Sequence, residues 1–500
     1  MIPVPLRKIF FITAVLAAAG WLMWLFDDGL GIGWPSNALR NWQQFGPAAL
    51  HGVLVYNPGG FDAVAQPQVY HGMSPYYLYP VYFCTQLFGW TGLGTLSFHL
   101  LLAVLVLWGV WSLLGKGEFA LLVAIAVILT PGYGRWQKSI DPNAISVLLG
   151  IPYAAIVTGL LKKSKLQRAD FFGLAFLTIA FVPLNWTTAW LLAPFGIFLL
   201  LSTHIRRATA MAFLSLAATG AMAFVFISMH AKSGGSGTGG HFLGGYTWGN
   251  YGYGEGLTTS RAFTRIFFVA VVGLLPLLGI WLVAGWRKSH GSARKLLNAG
   301  LPLAVALLEI AAMRNYFGNH PWMSAPVVIA GLVFSCALLA ENSVPPGPEN
   351  CGRCQRQWLL AAACFIYALL VLAFYRTNGS EGRSLTSLVR HETARTDWIV
   401  VVKNLDPTTA HLADRLDETL DRHIALVDDV KDLPGGQRLA ILTSVPMNGG
   451  QLIAEATAGA DGLDATLQKA ADWFNRTISH RNPGDRLEIP RHFYLYRPVP

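Results

Sequence analysis

The strongest constraint on this chain is a series of apolar runs, most of them long enough to cross the hydrocarbon core of a bilayer. A spanning helix needs about 20 mostly apolar residues. Such runs lie near residues 9–26, 95–115, 119–131, 143–161, 171–185, 187–203, 208–229, 263–285, 297–313, 322–340 and 357–375. They predict an α-helical polytopic membrane protein of about 11 transmembrane helices. The first run follows Arg7-Lys8 and continues through Trp21-Leu22-Met23-Trp24-Leu25-Phe26. That length suits an uncleaved anchor better than a signal peptide.

Charge divides the chain in two. Only 13% of the 500 residues are charged, against about 25% in an ordinary soluble protein. Residues 1–376 hold 10 Asp and Glu and 23 Lys and Arg, whereas residues 377–500 hold 17 and 14. The pattern predicts a membrane domain over 1–376 and a soluble domain over 377–500. The net charge of +10 arises in the membrane part, in short loops between spans, which argues against nucleic acid as a partner.

The same basic residues orient the chain, because cytoplasmic loops carry the excess of Lys and Arg. With the N-terminus cytoplasmic, the inner loops carry 15 basic residues and the outer loops of the membrane part carry 8. An odd number of spans then puts the tail outside. The reading is a multi-pass protein of a bacterial inner membrane with an extracytoplasmic C-terminal domain.

Two outer loops are long, at about 27–94 and 230–262. Residues 34–56 mix aromatic and polar side chains and read as a helix lying in the interface. The second loop opens with glycines 234, 235, 237, 239 and 240, then carries Tyr246, Trp248, Tyr251, Tyr253 and Glu255. Its aromatics suit either stacking on sugar rings or an interfacial belt. The tail reads as a small α/β domain, with strands at 397–403, 438–443 and 487–498 and helices at 407–422 and 463–479. The five cysteines (84, 336, 351, 354 and 364) form neither a disulfide framework nor a zinc site, since Cys351 and Cys354 are a lone CxxC.

Acids are scarce in the membrane part, so each is informative. Asp27 and Asp28 follow the first span at the outer surface. Partial desolvation there raises a carboxyl pKa and suits a general base, although a hydrated helix-end pair is an alternative. Asp141 precedes Pro142 at the start of a span, where it could equally cap the helix. Glu309 lies inside a span, where an ionisable group is costly and usually faces a cavity or a partner. Arg314 is its nearest candidate partner. Arg135, Lys138, Arg261, Arg265 and Arg314 are the outer-face cations that could clamp a phosphate, or simply snorkel.

The order of these features resembles the GT-C superfamily of glycosyltransferases, which includes the protein O-mannosyltransferases and the lipid A aminoarabinose transferases. One span is followed by an acidic pair, a long outer loop and then Tyr70-His71-Gly72-Met73-Ser74-Pro75-Tyr76-Tyr77-Leu78-Tyr79-Pro80. That stretch is similar to the His-Pro-Pro-Leu-Tyr segment ending the family's first loop, although here the His and Pro are not adjacent. Tyr56-Asn57-Pro58 suits the same pattern. Pro131 to Asp141 resembles the second acidic position, and Arg314-Asn315-Tyr316-Phe317-Gly318-Asn319-His320-Pro321 a later Arg-Tyr-Pro segment.

The resemblance implies inverting transfer of a sugar from a polyprenyl-phosphate donor to an extracytoplasmic acceptor. Asp27 or Asp28 would be the base, with Asp141 assisting. His71, Tyr76, Glu255, Glu309 and Tyr316 would hold substrate, with the five cations on the leaving phosphate. A divalent cation is left open, because only some relatives need one. Two other classes fit the spans: a transporter or flippase using Glu309, and a non-catalytic assembly or sensor protein using the tail.

Overall fold

The computed structural model describes residues 34–202 with gaps at 56, 58–62, 66, 71–72, 90–93, 131–132, 134–139, 141 and 186–187. It describes parts of 211–223, residues 274–288, 292–312, 317, 324–341 and 366, and in the tail 380–394, 397–406, 409, 423–429, 438–457, 469 and 492–498. The chain divides into two compact units. One comprises Met1–Trp21 and His99–Leu369, the other Leu22–Phe98 and Leu370–Pro500.

The first unit is a helical bundle. Its helices are α3 (Thr95–Leu113, entering at the boundary), α4 (Glu118–Leu129), α5 (Pro142–Leu161), α6 (Arg168–Phe181), α7 (Ala189–Leu201), α8 (Leu275–Lys288), α9 (Ala293–Ala312) and α10 (Ser324–Glu341). Eight of the eleven predicted runs therefore carry a described helix. The runs 9–26 and 357–375 fall outside the described residues, apart from Ile366, and 208–229 is described only in part. Three segments are long and apolar enough to cross a membrane among the described residues, namely Ala144–Leu161, Ala293–Ala312 and Ser324–Glu341.

Residues 324–339 of α10 are all buried, so this helix forms the centre of the bundle. Against it, α9 turns a stripe of Ala299, Pro302, Leu303, Ala306 and Ile310 inward, the spacing of one helical face. Leu297 and Leu308 on its opposite side are exposed, as a lipid-facing surface would be. Small residues allow close approach, as they do between membrane helices. A Cβ on Gly331 would lie 3.0 Å from the Ala306 methyl, and one on Gly109 would lie 2.8 Å from the Pro152 nitrogen. Between α5 and α6, Tyr153 and Thr178 share a hydrogen bond of 3.1 Å. Tyr153 also stacks on Phe181 at 4.3 Å.

Local signals end these helices where chain reversal is needed. Gly115 has φ +86 and Lys116 donates its N–H to Trp111 O at 3.0 Å, a left-handed C-terminal cap. Pro142 opens α5 at its first position, where its missing N–H costs nothing. The side chains of Gln167 and Asp170 form a reciprocal capping box at the start of α6.

The second unit contains α1 (Trp34–Phe45), a 3-10 turn (Pro75–Tyr77), α2 (Leu78–Phe88), α11 (Ser380–Glu392) and a five-stranded sheet. The strands are β1 (Trp398–Val402), β2 (His423–Val427), β3 (Leu439–Thr443), β4 (Gly450–Thr457) and β5 (His492–Pro498), in the order β2-β1-β3-β5-β4. β1 runs parallel to both β2 and β3, whereas β5 runs antiparallel to both β3 and β4. Side chains alternate across the sheet. Ile399, Val401, Ile424, Leu442, Phe493 and Leu495 pack with Leu385 and Val389 of α11, and Val400, Val402, Ala425 and Ile441 form the opposite cluster.

The α/β reading of the tail meets this structure at β1, β3 and β5. Two strands and α11 add to it. HIALV of β2 is short and begins on a polar residue, and β4 is an edge strand whose exposed positions blur the two-residue period. The predicted helices 407–422 and 463–479 fall outside the described residues except for Thr409 and Lys469.

Residues 34–56 depart from the interfacial reading. Only 34–45 are helical, and Asn37 through Trp42 are all buried. Gly46, with φ +81, donates its N–H to Trp42 O at 2.8 Å and turns the chain into an irregular segment. The exposed apolar stripe lies instead on α2 and the turn before it, where Tyr76, Tyr79, Phe83 and Leu87 recur at spacings of three and four.

Candidate first-loop site

The part of the candidate site that the structure describes is the frame of the first outer loop. Trp42 is fully buried beneath Tyr79 and Tyr82, with ring centroids 4.7 and 6.0 Å away. Its indole Nε1 donates to Val53 O at 2.9 Å. One residue earlier, the Asn41 amide donates to Val55 O at 2.8 Å and to Asn57 O at 3.0 Å. Asn57 Oδ1 in turn accepts from Gln68 N at 2.7 Å. Val55 and Val69 form an antiparallel bridge, and Tyr70 N–H donates to Leu54 O at 2.8 Å. Two arms, 53–57 and 67–70, are thus drawn together over α1. Buried polar groups need partners; the backbone of the two arms supplies them for the Asn41 amide N–H groups and the Trp42 indole, while Asn41 Oδ1 has none among the described residues.

Tyr76 sits in the turn that follows. Ser74 Oγ accepts from Tyr76 N at 3.4 Å, and Pro75 occupies the first position. Tyr76 stands 41% exposed and stacks on Tyr79 at 6.2 Å. Burial, together with the neighbouring Tyr76, raises the Tyr79 phenol above the ordinary tyrosine range, so it stays a neutral donor. Two exposed stacked rings can accept the apolar face of a sugar.

Glu309 lies in α9 between Ala306 and Ile310, half-buried, and its Oε2 has no hydrogen-bond partner among the described residues. Tyr76 belongs to the second unit and Glu309 to the first. Asp27, Asp28, His71, Arg135, Lys138, Asp141, Glu255, Arg261, Arg265, Arg314 and Tyr316 lie outside the described residues. No group of three or more His, Cys, Asp or Glu able to hold a metal occurs among the described residues. Cys84 and Cys336 are both buried, and the other three cysteines lie outside the described residues.

Sequence reasoning missed Asn41 and Trp42, and noted Asn57 and Tyr79 only for their places in motifs. One signal was available: Asn37 and Asn41, four apart, share a helical face with Ala38 and Trp42. A polar residue on an apolar face asks for a buried partner.

No protein-family model and no curated protein matches the sequence. Solved structures do match it. The crystal structure of ArnT from Cupriavidus metallidurans bound to undecaprenyl phosphate superposes with a TM-score of 0.59 at 11% identity, covering 90% of this chain and 97% of that one. The apo form of ArnT gives 0.54 at 13% identity, covering 90% and 96%. Over nine-tenths of its length, this chain has the fold of ArnT.

Proposed function

We propose that this protein is an integral membrane glycosyltransferase that moves a sugar from a polyprenyl-phosphate donor to an extracytoplasmic acceptor. The observation that carries the reading is a fold match extending over 90% of the chain to a protein holding undecaprenyl phosphate. The motif order agrees with it: an acidic pair after the first span, a Tyr-His-Pro-Tyr loop end, and an Arg-Tyr segment before α10.

In the proposed reaction an acceptor hydroxyl or amine attacks the anomeric carbon. Asp27 or Asp28 takes its proton, the bond from that carbon to the phosphate oxygen breaks, and polyprenyl phosphate departs. A carboxylate base facing the nucleophile opposite the leaving group gives inversion. Arg135, Lys138, Arg261, Arg265 and Arg314 offset the charge that gathers on the phosphate. Asp141 assists the acceptor. His71, Tyr76, Glu255, Glu309 and Tyr316 hold the substrates. The proposed setting is a bacterial inner membrane with the reaction on its outer face.

The test compares lipid-linked and surface glycans from strains with and without the protein. Loss of one glycosylated product, with accumulation of its polyprenyl-phosphate donor, is expected. An unchanged glycan profile would refute the reading.

A further inference from the structure

We propose that Asn41 and Asn57 are positioning residues for sugar transfer, acting as a relay that sets the gap between the two arms of the first outer loop. This inference rests on the transfer reading above. Asn41 is buried completely, yet both of its bonded partners are backbone carbonyls of a segment 14 and 16 residues away. The second of those carbonyls belongs to Asn57, itself buried, whose side chain holds Gln68 N–H across the loop. One helix position therefore fixes both roots of the segment 58–67.

What the relay frames gives it functional weight. Gln68 stands three residues before His71, one of the residues proposed to hold substrate. Trp42 adds a parallel tie to Val53 and carries the Tyr79 ring, on which Tyr76 stacks. Gly52 at the same place has φ +68, a left-handed conformation that favours glycine, and a Cβ there would make only ordinary contact with the Tyr79 hydroxyl at 3.5 Å. A well-packed helix could pin a surface loop with apolar contacts alone. Using an amide donor for two carbonyls fixes direction as well as distance. A displacement of about 1 Å at a reacting group can cost about a hundredfold in rate.

The experiment expresses the full-length protein in a strain lacking it and quantifies the glycosylated product restored by the wild type, Asn41→Ala, Asn41→Asp and Trp42→Phe. Asn41→Asp is nearly isosteric but offers no donor to either carbonyl. Membrane abundance and the thermal shift caused by added undecaprenyl phosphate are measured on each purified variant. The relay predicts at least a tenfold loss of product in both Asn41 variants and a smaller loss in Trp42→Phe. Abundance and the undecaprenyl-phosphate shift should stay at wild-type values. Full product from both Asn41 variants would overturn the relay and leave the transfer reading intact. So would a loss that merely tracks abundance or the lipid-induced shift. A wild type that restores no product would defeat the transfer reading, and the relay with it.

Discussion

Lys162, just past the end of α5, pairs with Glu341, the last residue of α10, at 2.6 Å across 179 residues of sequence. Both stand on the side of the bundle that the distribution of basic loop residues assigns to the cytoplasm. Lys163 and Asp170, assigned to the same side, pair at 2.5 Å. The span order predicted from the sequence puts the ends of α5 and α10 on one face, and the Lys162–Glu341 pair joins them. In a cysteine-free background, Lys162→Cys and Glu341→Cys should therefore label alike with an impermeant thiol reagent, reacting only after permeabilisation. Labelling of either one in intact cells would contradict the arrangement. Both partners are partly exposed, so Lys162→Ala should cost less than about 1 kcal/mol, read as a small change in melting temperature.

Asp27→Ala and Asp28→Ala test the base assignment. At least one is expected to abolish product formation while membrane insertion, followed by abundance and protease protection, remains normal. Loss of general-base catalysis alone is worth about 10²–10⁴-fold. Normal turnover in both variants would rule out this pair as the base.

Asp406 is a structural acid of the tail. It is 2% exposed and takes hydrogen bonds from the Thr409 and Ser444 backbone and side chains and from the Thr443 hydroxyl. Burial pulls its pKa upward, but the bonds from Thr409 and Ser444 outweigh that effect and leave it below the ordinary carboxylate value. A depressed folded pKa contributes stability at pH above about 4, the unfolded value, and loses it as pH falls through the folded one. Hydrogen exchange of the β3 amides should accordingly quicken only in strong acid. Asp406→Ala strands several donors at once and should destabilise the tail by about 2–4 kcal/mol at neutral pH, with the same β3 amides as the readout. Unaltered exchange would show that the bonds carry no net stability.

Gly109 marks where α3 crosses α5. Any Cβ there meets backbone atoms of Ile151 and Pro152 at 2.8–3.0 Å, and backbone yields less readily than a side-chain tip. Gly109→Ala should cost about 1–3 kcal/mol as an overpacked contact, and Gly109→Leu should prevent stable folding. Wild-type melting temperatures in both would show that the helices separate freely.

These relationships divide by how far apart in sequence their causes lie. The helices of the bundle were legible because a span announces itself in about 20 consecutive residues, and β1, β3 and β5 because each is a short run rich in β-branched, aliphatic or aromatic residues. Asn41 was legible only as a polar residue beside apolar ones, and its partners were not. In a helix an asparagine ordinarily marks the solvent side, and only the return of residues 53–57 over α1 turns that position inward. The exposed stripe from Tyr76 to Leu87 was hidden for a related reason: aromatic and aliphatic residues spaced three and four apart read as core until no neighbour arrives. The partnership of Lys162 with Glu341 needed the fold itself, although charge counting had already put both residues on one side.

The order of the sheet bears on how the tail is made. β5 is the last strand in sequence yet lies inside the sheet, between β3 and β4. Until residues 492–498 have emerged, β3 keeps one open flank and β4 has no partner strand among the described residues. Open flanks of this kind invite pairing with foreign strands. A nascent chain must therefore carry an unfinished sheet through synthesis and close it in a single late step, and a chain stopped short of His492 never closes it.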